Sequence, residues 1–552
     1  RSWALELSCP AGLVRFSPAA TGGTMALADF SLEDRYAREE GKVAMSGVQA
    51  LLRVLLDQIQ ADRRAGLDTA AMVSGYRGSP LGGVDAMMNE NKDQLAAHNI
   101  EFIPGLNEDL GATAVWGSQL ANRNFEGKYD GVLGMWYGKA PGVDRSGDAI
   151  RHANVCGVDS KGGVLLVAGD DPASKSSTLA AQSEVILTHF QTPILYPGNV
   201  QEVADYGRIG YAMSRYTGLW TSLKIVTNVA DGYSTISVGP DRVTTVRPDF
   251  EYNGKPFEFV QQDSLFGPNA VRQELEIHEG RLPAVDAFSL ANNLNRQTVA
   301  TKDAKLGIVA AGKTYYDVRE ALDKMGLDDA ALERRGIRVF KPAVVWPLEP
   351  TSLRDFASGL DTVVFVEEKR AFMETYAREI LYGMANAPRI LGKKNAANEF
   401  WFPGHGEMDS ELIGRKLRPF LTDLLGSDVV TAPQERIIIP VALGDGKEAS
   451  RAPGFCSGCP HNRSTWVPEG SEAGGGIGCH GMASMTPTRN TTGTTQMGGE
   501  GIQWVGAAPF VTMNHRFQNI GDGTYHHSGS LALRQSIATD TNITYKILYN
   551  GA

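Results

Sequence analysis

Cysteine is scarce in this chain. Five residues in 552, an odd number, cannot describe a disulfide framework. Basic clusters are also missing. A formal net charge of −10 and a pI of about 5.6 leave no footprint for a phosphate backbone, which argues against nucleic-acid binding. Long apolar runs are absent too. The longest, Gly163–Gly169 and Ile437–Leu443, are strand-sized, far below the roughly 20 residues of a membrane span. No repeat of fixed period is visible. The start, Arg1–Thr24, has no charged segment leading into an apolar one, so it is not read as a secretory signal. The first methionine is Met25, and residues 1–24 read as an extension of doubtful relevance. A cytoplasmic enzyme with reduced thiols is the expectation.

What is present is ordinary globular material, 42% hydrophobic and 21% charged, in a length that suggests about three or four domains. Residues 30–241 alternate amphipathic helices with short apolar strands. Ala44–Ala65, Asn107–Asn122 and Val203–Ser214 read as helices; Ala70–Ser74, Gly131–Trp136, Val164–Ala168, Ile194–Tyr196 and Leu223–Val229 read as strands. Such alternation implies an α/β fold with parallel sheets flanked by helices. Residues 241–300 mix Pro, Asn and Gln with apolar positions and read as a connecting arm. A second α/β unit occupies 301–425, with strands Leu306–Ala311, Ile337–Lys341 and Thr362–Glu367 and helices Tyr315–Met325 and Phe372–Leu381. Residues 451–552, rich in Gly, Thr and His, form a third region that looks cut short after two or three strands.

One motif is rejected on context. Gly307–Thr314 reads GIVAAGKT, a formal phosphate-loop match. A working loop needs a strand before its first glycine and exposed amides between the two. Here the apolar residues Ile308–Ala311 are themselves the strand.

Asn519–Asn550 is more specific. A strand end is followed by Gly521-Asp522-Gly523, a helix, a second strand and then Asn550. One strand–helix–strand unit separates Asp522 from Asn550, so both oxygens fall at the carboxyl ends of neighbouring parallel strands, where open sheets bind ligands. A carboxylate and an amide oxygen suit Mg²⁺. The glycines admit a diphosphate close to the backbone, and the helix start favours its charge. An ordinary acidic turn would carry the same three letters; the placement of Asn550 brings the metal–diphosphate reading level with it.

Cys456-Ser457-Gly458-Cys459, with Cys479 one loop further on, suggests a metal centre. Iron–sulfur clusters usually take four thiolates, and zinc would accept three with His461 or His480 as the fourth ligand. Buried structural cysteines are the plain alternative. Glu108, taken alone, reads as an acid in a first helical turn that complements the dipole. Asp170 and Asp171 read the same way, and His526 and His527 read as surface or helix-start residues.

Together these segments resemble the thiamine-diphosphate-dependent 2-oxoacid:ferredoxin oxidoreductases, closest to the indolepyruvate:ferredoxin oxidoreductases in their long fused form. The resemblance runs from Ser31 to Ala552. It is carried by SGYRGSPLGG (Ser74–Gly83), PGLNEDLGATAVWGSQ (Pro104–Gln119), MWYGKAPGVDRSGD (Met135–Asp148), AGDDPASKSSTL (Ala168–Leu179), FCSGCPHN (Phe455–Asn462), TQMGGEG (Thr495–Gly501) and the GDG…N segment. It implies a pyrimidine-binding domain at 25–240, a transketolase C-terminal-like α/β domain at 301–425, and a diphosphate-binding domain with iron–sulfur ligands at 451–552. Asp522 and Asn550 would hold Mg²⁺ on thiamine diphosphate, with Met497, Gly498, Gly521 and Gly523 beside the cofactor. Glu108 would bond the aminopyrimidine ring and promote its imino form, making it a catalyst. Cys456, Cys459 and Cys479 would ligate a [4Fe–4S] cluster, and Ser79 and Arg151 would contact substrate, a guanidinium suiting a carboxylate.

The implied activity is oxidative decarboxylation of an aryl or branched 2-oxo acid to its acyl-coenzyme A, with ferredoxin as electron acceptor and a homodimer as the working form. No fourth cluster ligand, no γ-type domain and no ferredoxin-like run of cysteines is present. The chain therefore reads as an N-terminal fragment, not competent for turnover by itself. A non-redox thiamine decarboxylase or carboligase, and an inactive zinc-binding remnant, are the alternatives.

Overall fold

The computed structural model describes residues 31–426, apart from 176, 178, 263 and 264, residue 430, and residues 454–550. The extension at 1–24, the Ile437–Leu443 stretch and residues 451–453 and 551–552 lie outside the described residues. The first sheet has seven strands, in the order Val344–Trp346, Ile194–Leu195, Thr221–Val226, Val164–Asp170, Gly131–Lys139, Thr69–Gly75, Ile100–Phe102. All pairings are parallel except that of Val344–Trp346, an antiparallel strand contributed from the second α/β unit. The central strands Val164–Asp170 and Thr221–Val226 are buried throughout. That burial explains why they read as unbroken apolar runs instead of alternating ones.

One helical and one strand expectation shift at their ends. Ala44–Ser46 is not helical; it closes the strand Gly41–Ser46, which pairs antiparallel with Tyr233–Val238. The helix Gly47–Arg64 then begins on a capping box, with the Ser46 hydroxyl accepting from Gln49 N and the Gln49 side chain accepting from Ser46 N. The strand expected to reach Val229 ends at Val226, and Thr227–Ala230 turns into a helix.

The second sheet runs Asn295–Val299, Ile337–Pro342, Leu306–Val309, Thr362–Phe365, Arg389–Leu391. It packs on both faces. Val309, Phe340, Val363 and Phe365 join the core that underlies the first sheet. Ile308, Val339 and Val364 face a second core closed by Ile413, Leu417 and Leu421 of the helix Ser410–Leu425. Gly307 lies inside a strand and two residues separate that strand from the helix Gly312–Asp323, so no phosphate loop exists there.

The connecting arm is structured. It contains the helices Pro268–Glu276 and Leu282–Ala291 and contributes Asn295–Val299 to the second sheet. Its anchor is Arg281, fully buried, which donates to the carbonyls of Asn154, Val155, Thr217 and Gly218. Those oxygens end the helices Gly147–Cys156 and Val200–Thr217. One guanidinium thus caps two helix C-termini, where cations are favoured, and its plane lies 4.3 Å from the Phe259 ring centre.

The third sheet, Thr491–Thr492, Ala473–Gly474, Arg516–Gly521, Ile543–Leu548, is entirely parallel. No helix among the described residues is long and apolar enough to cross a membrane.

Candidate active site

The helix Glu108–Gln119 starts where the sequence expected, with the Asn107 side chain accepting from Leu110 N at 3.0 Å. Glu108 is its first residue and is only 5% exposed. The Trp136 indole N–H donates to the Glu108 carbonyl at 2.9 Å, and Gly142 lies directly against its side chain. A Cβ on Gly142 would stand 2.6 Å from Glu108 Cγ and 2.9 Å from Oε1, so the carboxylate fills the place of the missing methyl group.

Its partner comes from the far end of the chain. His527 Nε2 lies 2.6 Å from Glu108 Oε2, and both side chains are buried. The imidazole packs edge-on against Tyr76 at 4.7 Å, its Nδ1 meets Ser528 Oγ at 2.7 Å, and Asn107 Nδ2 donates to the His527 carbonyl at 3.2 Å. The expectation of surface or helix-start residues holds in that both histidines lie at the start of a helical segment, with His526 exposed, but His527 is buried and engaged. The correction has a physical cause. The residues Tyr525–Gly529 form a wide π turn that carries His527 inward, and its partner is too remote in sequence for any local pattern to show. Asp170 is corrected as well. It ends the strand Val164–Asp170 with no helix to follow, accepts from Ser183 N, and lies 3.5 Å from buried Lys224.

A second layer of contacts ties this pair to the glycine turn. Gly498 has φ +92°, and a Cβ there would stand 2.0 Å from Ser528 Oγ. Its N–H donates to Glu500 Oε2 at 2.7 Å, and Ile477 N donates to Glu500 Oε1 at 3.4 Å. Burial pushes the Glu500 carboxyl above its ordinary value, against these backbone donors, which pull it down. The Met497 carbonyl lies 3.4 Å from Ser528 Oγ, and Thr524 Oγ1 donates to the Ile477 carbonyl at 3.1 Å. Asp522, buried, follows the strand end Gly521 directly, with Gly523 after it. Gly521 is in register with Leu548, so Asp522 and exposed Asn550 stand at the carboxyl ends of adjacent parallel strands.

The structure thus gathers Glu108, Met497, Gly498 and the Gly521–Gly523 turn around His527, Ser528 and Glu500, three residues that sequence reasoning did not select. Ser79 is half-buried just ahead of the helix Gly83–Glu90, and Arg151 is exposed on the helix Gly147–Cys156. Neither is bonded to that group. Of the thiols, Cys456 and Cys479 are exposed and Cys459 is partly buried. Among the described residues no three His, Cys, Asp or Glu side chains form a metal-holding group. His461 and His480, by contrast, are buried, each with one ring nitrogen unpartnered in the structure. Burial, reinforced by His461, pushes His480 down to about 4.

The donors around the glycine turn fit a hard cation with a diphosphate. Two oxygen-bearing side chains stand at neighbouring strand ends, and Asn519, fully buried just before the turn, has neither amide atom bonded to the protein.

Comparison with known proteins bears on this geometry. A family profile described as the indolepyruvate oxidoreductase domain matches residues 296–438. The indolepyruvate oxidoreductase subunit IorA of Archaeoglobus fulgidus is 24% identical over 522 residues, covering 93% of this chain and 75% of its own length. Over most of its length the chain is similar to the IorA subunits of indolepyruvate oxidoreductases. The IorA subunit of Thermococcus kodakarensis is 23% identical over 454 residues, and the chain spans 64% of its length. Among solved structures, the 2-oxoglutarate:ferredoxin oxidoreductase of Magnetococcus marinus, with 2-oxoglutarate, coenzyme A and succinyl-CoA bound, overlays 68% of this chain and 65% of its own. That overlay has a TM-score of 0.49 at 15% identity. Within the indolepyruvate oxidoreductase type, the matched profile lies on the second α/β unit. The candidate site, built from the first and third sheets, stands outside it.

Proposed function

We propose that this chain carries the thiamine diphosphate centre of an oxidoreductase that decarboxylates a 2-oxo acid of the aryl or branched class, such as indolepyruvate, passing the acyl group to coenzyme A and the electrons to ferredoxin. The observation that carries this reading is the buried Glu108 carboxylate at a helix start of the first sheet, bonded to His527 in the π turn that follows the Gly521–Gly523 segment of the third. In this reading residues 25–240 take the pyrimidine end of the cofactor and residues 451–552 the diphosphate end. Asp522 and Asn550 would hold Mg²⁺ and through it the diphosphate, with Gly521, Gly523, Met497 and Gly498 leaving room for it. When bound, thiamine diphosphate supplies the electron sink for loss of CO₂.

What the protein contributes is placement and proton control. Glu108 is fixed through its carbonyl by Trp136 and through its side chain by His527 and Gly142, so a proton held at Oε2 is presented in one direction. The low-polarity surroundings strengthen that interaction. Ser79 and Arg151 are the proposed substrate contacts. Cys456, Cys459 and Cys479 are the proposed ligands of an iron–sulfur cluster.

The test is substrate-dependent reduction of a one-electron acceptor by the whole enzyme, with all its subunits, in wild-type and Glu108→Gln forms. Turnover that needs coenzyme A and falls by at least 10²-fold in the variant supports the reading; equal turnover in both forms overturns it. The alternative reading is a non-redox thiamine lyase, which needs no cluster. Iron and acid-labile sulfide in comparable amounts in the anaerobically purified protein would exclude it; zinc without sulfide would support it.

A further inference from the structure

We propose that His527 is the proton partner of Glu108, a positioning residue that delivers a proton to Glu108 Oε2 and takes it back. The inference deepens the reading above and rests on it. Both heteroatoms of the imidazole are engaged: Nε2 with Glu108 Oε2 at 2.6 Å and Nδ1 with Ser528 Oγ at 2.7 Å. All three side chains are buried. The titratable groups facing the ring are Glu108, Glu500 and Tyr76, and among the described residues no lysine or arginine is bonded to the pair.

The hydroxyl of Ser528 makes a transfer possible without moving a heavy atom. With His527 as imidazolium, Nε2–H donates to the carboxylate, Nδ1–H donates to Ser528 Oγ, and the hydroxyl proton points to the Met497 carbonyl 3.4 Å away. Breaking Nε2–H and forming Oε2–H then gives a neutral imidazole and a carboxylic acid. Nδ1–H still donates to Ser528, so one proton moves, charge is conserved and no buried donor is orphaned. A buried carboxyl that must exchange a proton with a ligand is served by such a store.

The same three residues have the composition of a nucleophilic triad. That reading fails on access. Ser528 is 6% exposed and is covered by Gly498, whose Cβ position lies 2.0 Å from its Oγ. No acyl group can approach the hydroxyl, whereas a relay needs no approach.

The test uses the whole enzyme and a readout taken without cofactor. In protein labelled with ¹⁵N at histidine, Glu108→Gln should move the His527 ring nitrogen resonances, since the acceptor of Nε2–H changes from a carboxylate to an amide. His527→Gln retains a donor and much of the shape but cannot ionise. It should bind thiamine diphosphate as wild type does, lose turnover by 10²- to 10⁴-fold and lose the acid–base limb of its kcat profile, while added imidazole partly restores a His527→Ala variant. A His527→Gln enzyme with wild-type turnover and an unchanged pH profile would overturn the inference and leave the functional reading standing. Failure of the wild-type protein to bind the cofactor would strike the functional reading instead.

Discussion

Replacing Gly142 with alanine probes how tightly Glu108 is held. The new methyl would lie 2.6 Å from Glu108 Cγ, 2.9 Å from Oε1 and 3.0 Å from Cδ, whereas ordinary contact begins at 3.4 Å. Something must yield by about 0.8 Å at Cγ. The Glu108 backbone cannot easily move, because Trp136 and the helix hold it. The carboxylate would swing, and the 2.6 Å contact with His527 would open beyond hydrogen-bond range. Overpacking of this kind costs about 1–3 kcal/mol, and the helix propensity gained from alanine offsets up to about 1 kcal/mol of it. The melting temperature should therefore fall only slightly. A displacement approaching 1 Å at a reacting group can cost about 10²-fold in rate, so kcat should fall by that order while substrate KM changes little. Steady-state kinetics beside a thermal melt separates the two effects. Wild-type kcat in the alanine variant, with the melt unchanged, would refute the claim that Glu108 is held by packing.

Two further substitutions address the architecture. Arg281→Met removes the guanidinium that serves four carbonyls at two helix ends; a loss of about 3–5 kcal/mol is expected, read as a clear drop in melting temperature, and an unchanged melt would refute the capping role. Asp286 has its carboxyl pushed up to about 7 by burial, with Glu349 adding to the effect. The folded state then keeps a proton that the unfolded chain releases near pH 4, so wild-type stability should fall as pH rises from about 4 to 7. Asp286→Asn should abolish that fall and be the more stable form above pH 7, by on the order of 4 kcal/mol; parallel stability–pH curves for the two proteins would contradict this.

Elements set by local chemistry were legible in the sequence. The Asn107 cap, the buried strands Val164–Asp170 and Thr221–Val226, and the strand–turn–helix at Gly521–Asp522 all declare themselves within a few residues. The parts that were missed depend on distant partners. His527 looks like one of two histidines beside a turn, and only the folded chain brings it to Glu108. Arg281 sits in a stretch of mixed composition, and its four acceptors belong to other helices. Val344–Trp346 follows a strand of the second sheet but pairs in the first, a swap that no periodicity reveals. Glu108 was singled out through family resemblance; by itself an acid in a first helical turn is unremarkable, and its burial against Gly142 becomes visible only in three dimensions.

The central claim is that the turn at Asp522 and the carboxylate of Glu108 hold the two ends of thiamine diphosphate. Titration calorimetry of thiamine diphosphate into the purified enzyme, with and without Mg²⁺, tests it most directly. Binding should require Mg²⁺, and Asp522→Ala should abolish that requirement together with most of the affinity. A folded wild-type protein that takes up no cofactor in the presence of Mg²⁺, or an Asp522→Ala protein that binds it as wild type does, would contradict the account.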